Sequence, residues 1–210
     1  MAVTTCSECS DSWVFSSDEW TTAVYDHRPT RRKQLLREAE GYLDLLMVFA
    51  DAWEPSPVVR DRLARRALAT LKRLDEQDQQ QAHALYLHGQ ALRTMEHYEE
   101  AVEHLRRAAD AQPGSIRVWL ALGWCYKRLG RLDLAIDSLE EALSVEPREA
   151  LIHYNLACYC SVSGNAEMAL SYLSRALKIQ PSYRDLIHKE RDFDPIRKHP
   201  SFRELTSVVV

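Results

Sequence analysis

Between residues 82 and 183, small, large apolar and polar positions recur at one fixed interval. The segment beginning at Ile116 carries Trp119, Leu122, Gly123 and Tyr126, then Ala135 and Leu139, then Ala142 and Pro147. A shift of 34 residues downstream places Ala157, Ala169, Leu173, Ala176 and Pro181 on the same offsets. The same shift upstream places Gly89, Ala101, Leu105, Ala108 and Pro113 there. Three abutting units follow, 82–115, 116–149 and 150–183. Each is predicted to be two antiparallel helices, A and B. Gly89, Gly123 and Ala157 lie where helix A meets helix B, and Ala101, Ala135 and Ala169 are their small counterparts. Leu105, Leu139 and Leu173 fill the space beside them. Pro113, Pro147 and Pro181 lack the amide proton that a continuing helix needs, so helix B stops nearby. A glycine inside a helix costs about 1 kcal/mol relative to alanine, and two of the three units accept that cost, which argues for close packing. A generic helical bundle also shows apolar residues at helical spacing, but not small residues and proline at a constant period.

The flanks are less regular. Arg31 to Trp53 and Pro57 to Asp75 read as two more helices joined by Glu54-Pro55-Ser56-Pro57, with a proline suited to a first helical turn. Ala67 and Leu71 match helix B positions, while Ala39 and Tyr42 suit helix A. Segment 31–81 is therefore read as a degenerate repeat with a lengthened helix A, and Asp75 to Gln81 as a surface turn or solvated helix end. Downstream, Arg184 to Asp192 is expected to continue as an unpaired, charge-rich helix A, because a terminal repeat needs a polar outer face. Phe193, Ile196, Phe202 and Leu205 are expected to tuck against the last repeat, making 184–210 a cap and tail.

The series Trp119-x-x-Leu122-Gly123-x-x-Tyr126, Ala135-x-x-x-Leu139, Ala142 and Pro147 resembles the tetratricopeptide repeat (TPR), with Leu139 where the pattern has Phe. The resemblance covers 82–183 and, in weaker form, 31–205. His153-Tyr154-Asn155-Leu156-Ala157-Cys158-Tyr159 and the closing Asp192-Phe193-Asp194-Pro195-Ile196-Arg197 look like the C-terminal end of many bacterial TPR proteins. The resemblance implies an all-α, right-handed solenoid of antiparallel helix pairs with a C-terminal capping helix. It implies a protein-binding scaffold with no catalytic site and no cofactor.

The resemblance also assigns a concave groove, lined by the second, fifth, ninth and twelfth positions of each repeat. These are His83, Tyr86, Gln90 and Arg93, then Arg117, Leu120, Trp124 and Lys127, then Leu151, Tyr154, Cys158 and Ser161. Trp124 is placed in the groove because Trp119, Leu122 and Tyr126 already occupy core positions. Tyr154 is open to either reading, groove or packing. A surface of this kind suits a protein or peptide offering apolar or aromatic anchors beside acidic residues, and Trp, Tyr and Arg are frequent hot spots. TPR proteins that clamp the carboxylate tail of heat-shock chaperones use Lys and Asn, and those positions fall here on Tyr86 and Gln90, or on Leu36 and Glu40. Arg117 and Asn155 are isolated matches, so that clamp is not expected.

Composition adds limits. The 210 residues carry a net charge of −4, which gives no basic face for nucleic acid. The apolar stretch Leu43–Ala50 is broken by Asp44 and is too short to span a bilayer. No secretory leader is visible, and the scattered Cys6, Cys9, Cys125, Cys158 and Cys160 suit a reducing cytoplasm. Cys6-Ser7-Glu8-Cys9 is at most half a zinc site, with His27 as a weak third ligand. His88, His97 and His104 form no compact ligand pair along the chain and read as solvated or satisfied. Residues 1–26 lack Lys and Arg, yet interleave Glu8, Asp11, Asp18, Glu19 and Asp26 with Trp13, Phe15, Trp20 and Tyr25. This acidic, aromatic arm (1–30 with its junction) either docks in the groove, in cis or by self-association, or caps the first helices. The leading expectation is an adaptor that holds a peptide segment. The alternative is a secretion-type chaperone holding a dedicated apolar client, and the third is an enzyme-associated or metal-binding protein using Cys6 and Cys9.

Overall fold

The computed structural model describes residues 28–50 and 55–207. The arm, Cys6, Cys9, His27, Trp53, Glu54 and the last three valines lie outside the described residues. Helices α1 (Arg28–Ala50) and α2 (Pro57–Leu71) pair, and a short α3 (Glu76–Gln79) follows. Then come the pairs α4 (Ala82–Thr94) with α5 (Tyr98–Ala111), α6 (Ile116–Arg128) with α7 (Leu132–Val145), and α8 (Ala150–Val162) with α9 (Ala166–Ile179). Successive pairs stack, α2 on α4, α5 on α6 and α7 on α8. No strand occurs among the described residues. The architecture is an all-α, right-handed solenoid.

Its core is built from the recurring positions. Ala101, Ala135 and Ala169, together with Leu105, Leu139 and Leu173, are completely buried. A Cβ added to Gly89 would stand 2.5 Å from Leu105 Cγ and 2.7 Å from its Cδ2. At Gly123 the corresponding approach to Leu139 and to the Ala135 carbonyl is 3.2 Å. The third pair takes the alanine methyl of Ala157 at the same offset. The missing side chains are thus what lets helices A and B close.

Two further devices repeat at the same period. Each A helix ends with a backbone N–H, of His97, Arg131 or Asn165, donating to the carbonyl of Leu92, Tyr126 or Cys160 at 3.0, 2.9 and 2.9 Å. The residue before each donor has positive φ: Glu96 at 64°, Gly130 at 74° and Gly164 at 85°. Glycine adopts that conformation without a steric penalty, and glutamate does not. Glu96 partly offsets the strain by accepting from Arg60 Nη2 at 2.9 Å, an exposed pair of small worth. Glu96→Gly is therefore expected to raise stability by up to about 1 kcal/mol, read as a higher urea midpoint with unchanged slope. A lower midpoint would show that the Arg60 contact outweighs the strain. At the B-to-A turns, Trp119 Nε1 donates to the Pro113 carbonyl at 2.7 Å, and His153 Nε2 lies 3.0 Å from that of Pro147. Trp119 is accordingly only half-buried, an edge residue rather than the core residue expected, because its ring follows its N–H to the turn.

The C-terminal segment departs from expectation. Arg184 to Asp192 is not one helix. A 3-10 turn (Pro181–Tyr183) leads into α10 (Arg184–Ile187), which stops after four residues. A second 3-10 stretch, Arg191–Ile196, starts where Glu190 accepts from the Asp192 amide, and α11 (Pro200–Thr206) follows. With no B helix to receive it, the chain instead folds Ile187, Phe193, Ile196 and Phe202 inward. The Arg191–Ile196 turn sits on α8, and Leu205 packs half-buried against the same core.

Candidate functional site

A cavity of about 610 Å³ opens between α1, α4 and α6, reaching the starts of α2 and α5. Its lining includes Tyr86, Gln90, Arg93, Arg117 and Trp124 from the sequence-assigned set. The adjoining recess, about 250 Å³, shares those five residues and adds Leu120, Leu151, Asn155 and Tyr159. Trp124 is the centre. Its ring is half-buried and meets Tyr98 edge-on at 5.4 Å. The Arg93 guanidinium lies 5.0 Å from the Trp124 ring centroid, and that of Arg128 lies 5.7 Å from it. Arg128 also approaches the Tyr98 ring at 5.4 Å. On the facing side Arg117 lies 5.3 Å from the Tyr86 ring, whose hydroxyl accepts from Gln90 Nε2 at 2.6 Å.

The charges here are not equally free. Arg117 is 3.9 Å from Glu40, Arg60 is paired with Glu96, and His83 stands 3.8 Å from Glu40. Arg93 and Arg128 have no carboxylate within ion-pair distance among the described residues. Arg–aromatic contacts hold both guanidiniums in place at roughly 0.5–1 kcal/mol each when exposed, while leaving their N–H edges unsatisfied by protein anions.

Several assigned residues go elsewhere. Tyr154 and Cys158 are buried, not open to a groove. Tyr154 is stacked edge-on by Tyr183 at 5.1 Å and by Phe193 at 5.6 Å. Ser161 is fully buried. Lys127 turns away to hydrogen-bond Asp192 and to sit 5.2 Å from the Tyr159 ring. For Tyr154, Cys158 and Lys127 the physical reason is one event, the docking of the C-terminal turns on α8. Sequence reasoning also missed Arg128, Arg60, Tyr98, Glu40 and Leu43, which line the main cavity. They lie at helix ends or on α1, outside the repeat offsets, and a basic residue four places after Trp124 was the one available signal for Arg128.

The tetratricopeptide repeat model matches residues 60–116, 86–143 and 120–184, an overlapping run across more than half of the chain.

The chain belongs to the tetratricopeptide repeat family.

This TPR chain is 38% identical over 53 residues to anaphase-promoting complex subunit 3 of Dictyostelium discoideum, covering 25% of the chain and 6% of that protein. It is 28% identical over 87 residues to protein bimA of Emericella nidulans, covering 41% of the chain and 11% of that protein. It thus spans only a small part of the length of the curated relatives it matches. Among solved structures, the crystal structure of MamA superposes with a TM-score of 0.55 at 22% identity, covering 73% of this chain and 87% of MamA. A structure of MamA AMB-1 gives 0.52 at 26%, covering 73% and 99%. These likenesses concern the fold.

Two other clusters carry titratable groups. Cys158 Sγ and the carboxylates of Glu190 and Asp192 lie within 4.8 Å of one another, a spacing that could hold a metal ion. Here the Lys127 ammonium already supplies the positive charge, and Glu190 is engaged by the Asp192 amide. Burial first, then the two carboxylates, push the Cys158 thiol well above its ordinary value, so it stays protonated. The TPR helix pair α4–α5 brings together His88 and His104, whose rings stack at 5.0 Å and 11°. Burial, then His104 and Lys72, lower the pKa of His88 from 6.5 to about 4. Burial, then Arg107, lower His104 as well, against the opposing Glu103 and Glu100. Between about 4 and 6.5 the unfolded chain binds more protons at His88 than the folded one. Stability is therefore expected to fall as the solution is acidified through that window. Melting temperatures of wild type and His88→Gln from pH 7 to 4 check this, since the variant must lose part of the slope. An identical slope would show that His88 does not carry it.

Among the described residues no helix is long and apolar enough to cross a membrane.

Proposed function

We propose that this TPR scaffold holds a peptide segment of a partner protein in the cavity between α1, α4 and α6. The observation that supports it most is the arrangement around Trp124, a half-buried indole bracketed by two guanidiniums that have no carboxylate partner among the described residues. An aromatic or apolar anchor would fit against Trp124 and Tyr86. An acidic neighbour would take the free edges of Arg93 and Arg128, and charge-assisted bonds to such carboxylates are the strong ones. Rigid helices present the whole surface, so little ordering cost falls on the receptor side. In this reading 82–115, 116–149 and 150–183 are the regular repeats, and 31–81 is a degenerate repeat whose long A helix walls the groove. Segment 184–210 is the cap and tail, and the arm is 1–27, since α1 already begins at Arg28.

The relatives are consistent with an interaction role, since one is by its name a subunit of a complex. Fluorescence anisotropy with labelled twelve-residue peptides tests the chemistry. The peptides carry one Trp flanked by Asp and Glu, by Ser, or by Lys. The acidic set is expected to bind at least tenfold more tightly than the basic set. The preference should vanish in the Trp124→Ala, Arg93→Ala variant. Binding indifferent to flank charge, or to that double change, would sink the assignment.

A further inference from the structure

We infer that the chain's own residues 1–27 dock in cis in the cavity around Trp124 and compete there with a partner. This inference rests on the peptide-groove reading and names its first occupant. The two surfaces are chemically opposite. The segment has no Lys or Arg and alternates Asp18, Glu19 and Asp26 with Trp13, Trp20 and Tyr25. The cavity is lined by the half-buried rings of Trp124 and Tyr86, with Arg93 and Arg128 lacking carboxylate partners among the described residues. The other stretch of that length without Lys or Arg, 149–174, is taken up by α8, the turn after it and α9, so it is not available to dock.

Where the segment joins the solenoid also favours docking in cis. It runs into Arg28 at the start of α1, beside α3, where Arg32 Nη1 meets Asp78 at 3.3 Å. The cavity lies along the other half of the same helix, at Glu40, Leu43, Asp44 and Leu46. From Arg28 to Asp44 the helix rises ~24 Å. An extended chain covers up to ~27 Å between Trp20 and Arg28 and ~50 Å between Trp13 and Arg28. A segment returning alongside α1 therefore brings Trp20 to the mouth of the cavity and Trp13 past it. A tether of this length gives an effective concentration on the order of 1 mM. A contact as weak as about 0.1 mM would then be made in about nine molecules of ten, lowering the affinity for a competing partner about tenfold.

The full-length chain tests this without truncation. One measurement compares wild type with the Asp18→Lys, Glu19→Lys, Trp20→Ala variant for affinity toward the acidic Trp peptide. The variant is expected to bind about tenfold more tightly. In a second measurement p-benzoylphenylalanine is incorporated at position 20, and a half 15N-labelled mixture is photo-crosslinked. The expected crosslinks join position 20 to α4 and α6 within single-isotope chains. Mixed-isotope crosslinks would overturn cis docking in favour of a second copy. Crosslinks confined to the outer faces of α1 and α2, with equal peptide affinity in both proteins, would make the segment a cap and overturn the inference. In that case peptide binding that still depends on Trp124 leaves the groove reading standing. If neither protein binds the peptide while position 20 crosslinks to α4 and α6, the docking stands and the partner reading falls.

Discussion

Replacing Phe193 with alanine is expected to cost about 3–5 kcal/mol of stability and to detach the C-terminal turns from α8. Phe193 is completely buried, with ring contacts to Tyr154 at 5.6 Å and to Phe202 at 5.7 Å. It belongs to a six-residue 3-10 stretch, which has no stability of its own. The Lys127–Asp192 bond, which joins α6 to that stretch, forms only while the stretch is docked. In a solenoid each unit touches only its neighbours, so the loss should remain local at first. Hydrogen exchange should rise across 181–207 and the end of α8, while α4 to α7 keep their protection. Uniform loss of protection along the whole chain would show that the cap is part of one cooperative unit. A cost below about 1 kcal/mol would show that the site collapses around the missing ring.

The second large effect lies where α4 meets α5. Leu105→Ala is expected to cost about 2–5 kcal/mol, since Leu105 is wholly buried and its neighbours are held by two helices. Gly89→Ala is also expected to destabilise. The added methyl would arrive 2.5 Å from Leu105 Cγ, and the strain of about 1–3 kcal/mol exceeds the gain of about 1 kcal/mol in helix propensity. The two changes share one volume. The double variant should therefore fall short of the summed cost by at least about 1 kcal/mol, because the alanine at 89 occupies space the leucine has left. Urea denaturation of the four proteins measures the coupling. Strict additivity would mean that glycine at 89 is required by the backbone and not by Leu105. Gly123→Ala is a graded control, with its closest approach at 3.2 Å and a correspondingly smaller cost.

The recurring positions were legible because they answer a local question asked three times. Each helix pair must close at the same point, so the chain repeats a small residue opposite a leucine at 34-residue intervals. The resemblance to the repeat family, carried over on that register, assigned Tyr86, Gln90, Arg93, Arg117 and Trp124 to one groove, and these five line a single cavity. Regularity fails where one copy departs from the rule. Glu96 takes the left-handed conformation of Gly130 and Gly164 with nothing in its residue type to show it. It fails again where an element has no counterpart. The charge-rich run after Tyr183 reads as a helix, but without a partner helix it breaks into short turns that bury Phe193.

The sequence by itself determined the helix pairs, their stacking order and their packing residues, because these rest on contacts between chain neighbours repeated at one period. It also determined that aromatic and basic side chains fall on the A helices. Only the tertiary structure decided which of those side chains remain available. The cap takes Lys127 to Asp192 and covers Tyr154 and Cys158, α1 brings Glu40 beside Arg117, and the α4–α5 pair stacks His88 on His104. The physical reason is that each of these contacts joins residues from different helices. Their meeting depends on how whole helices dock and not on any spacing within one repeat.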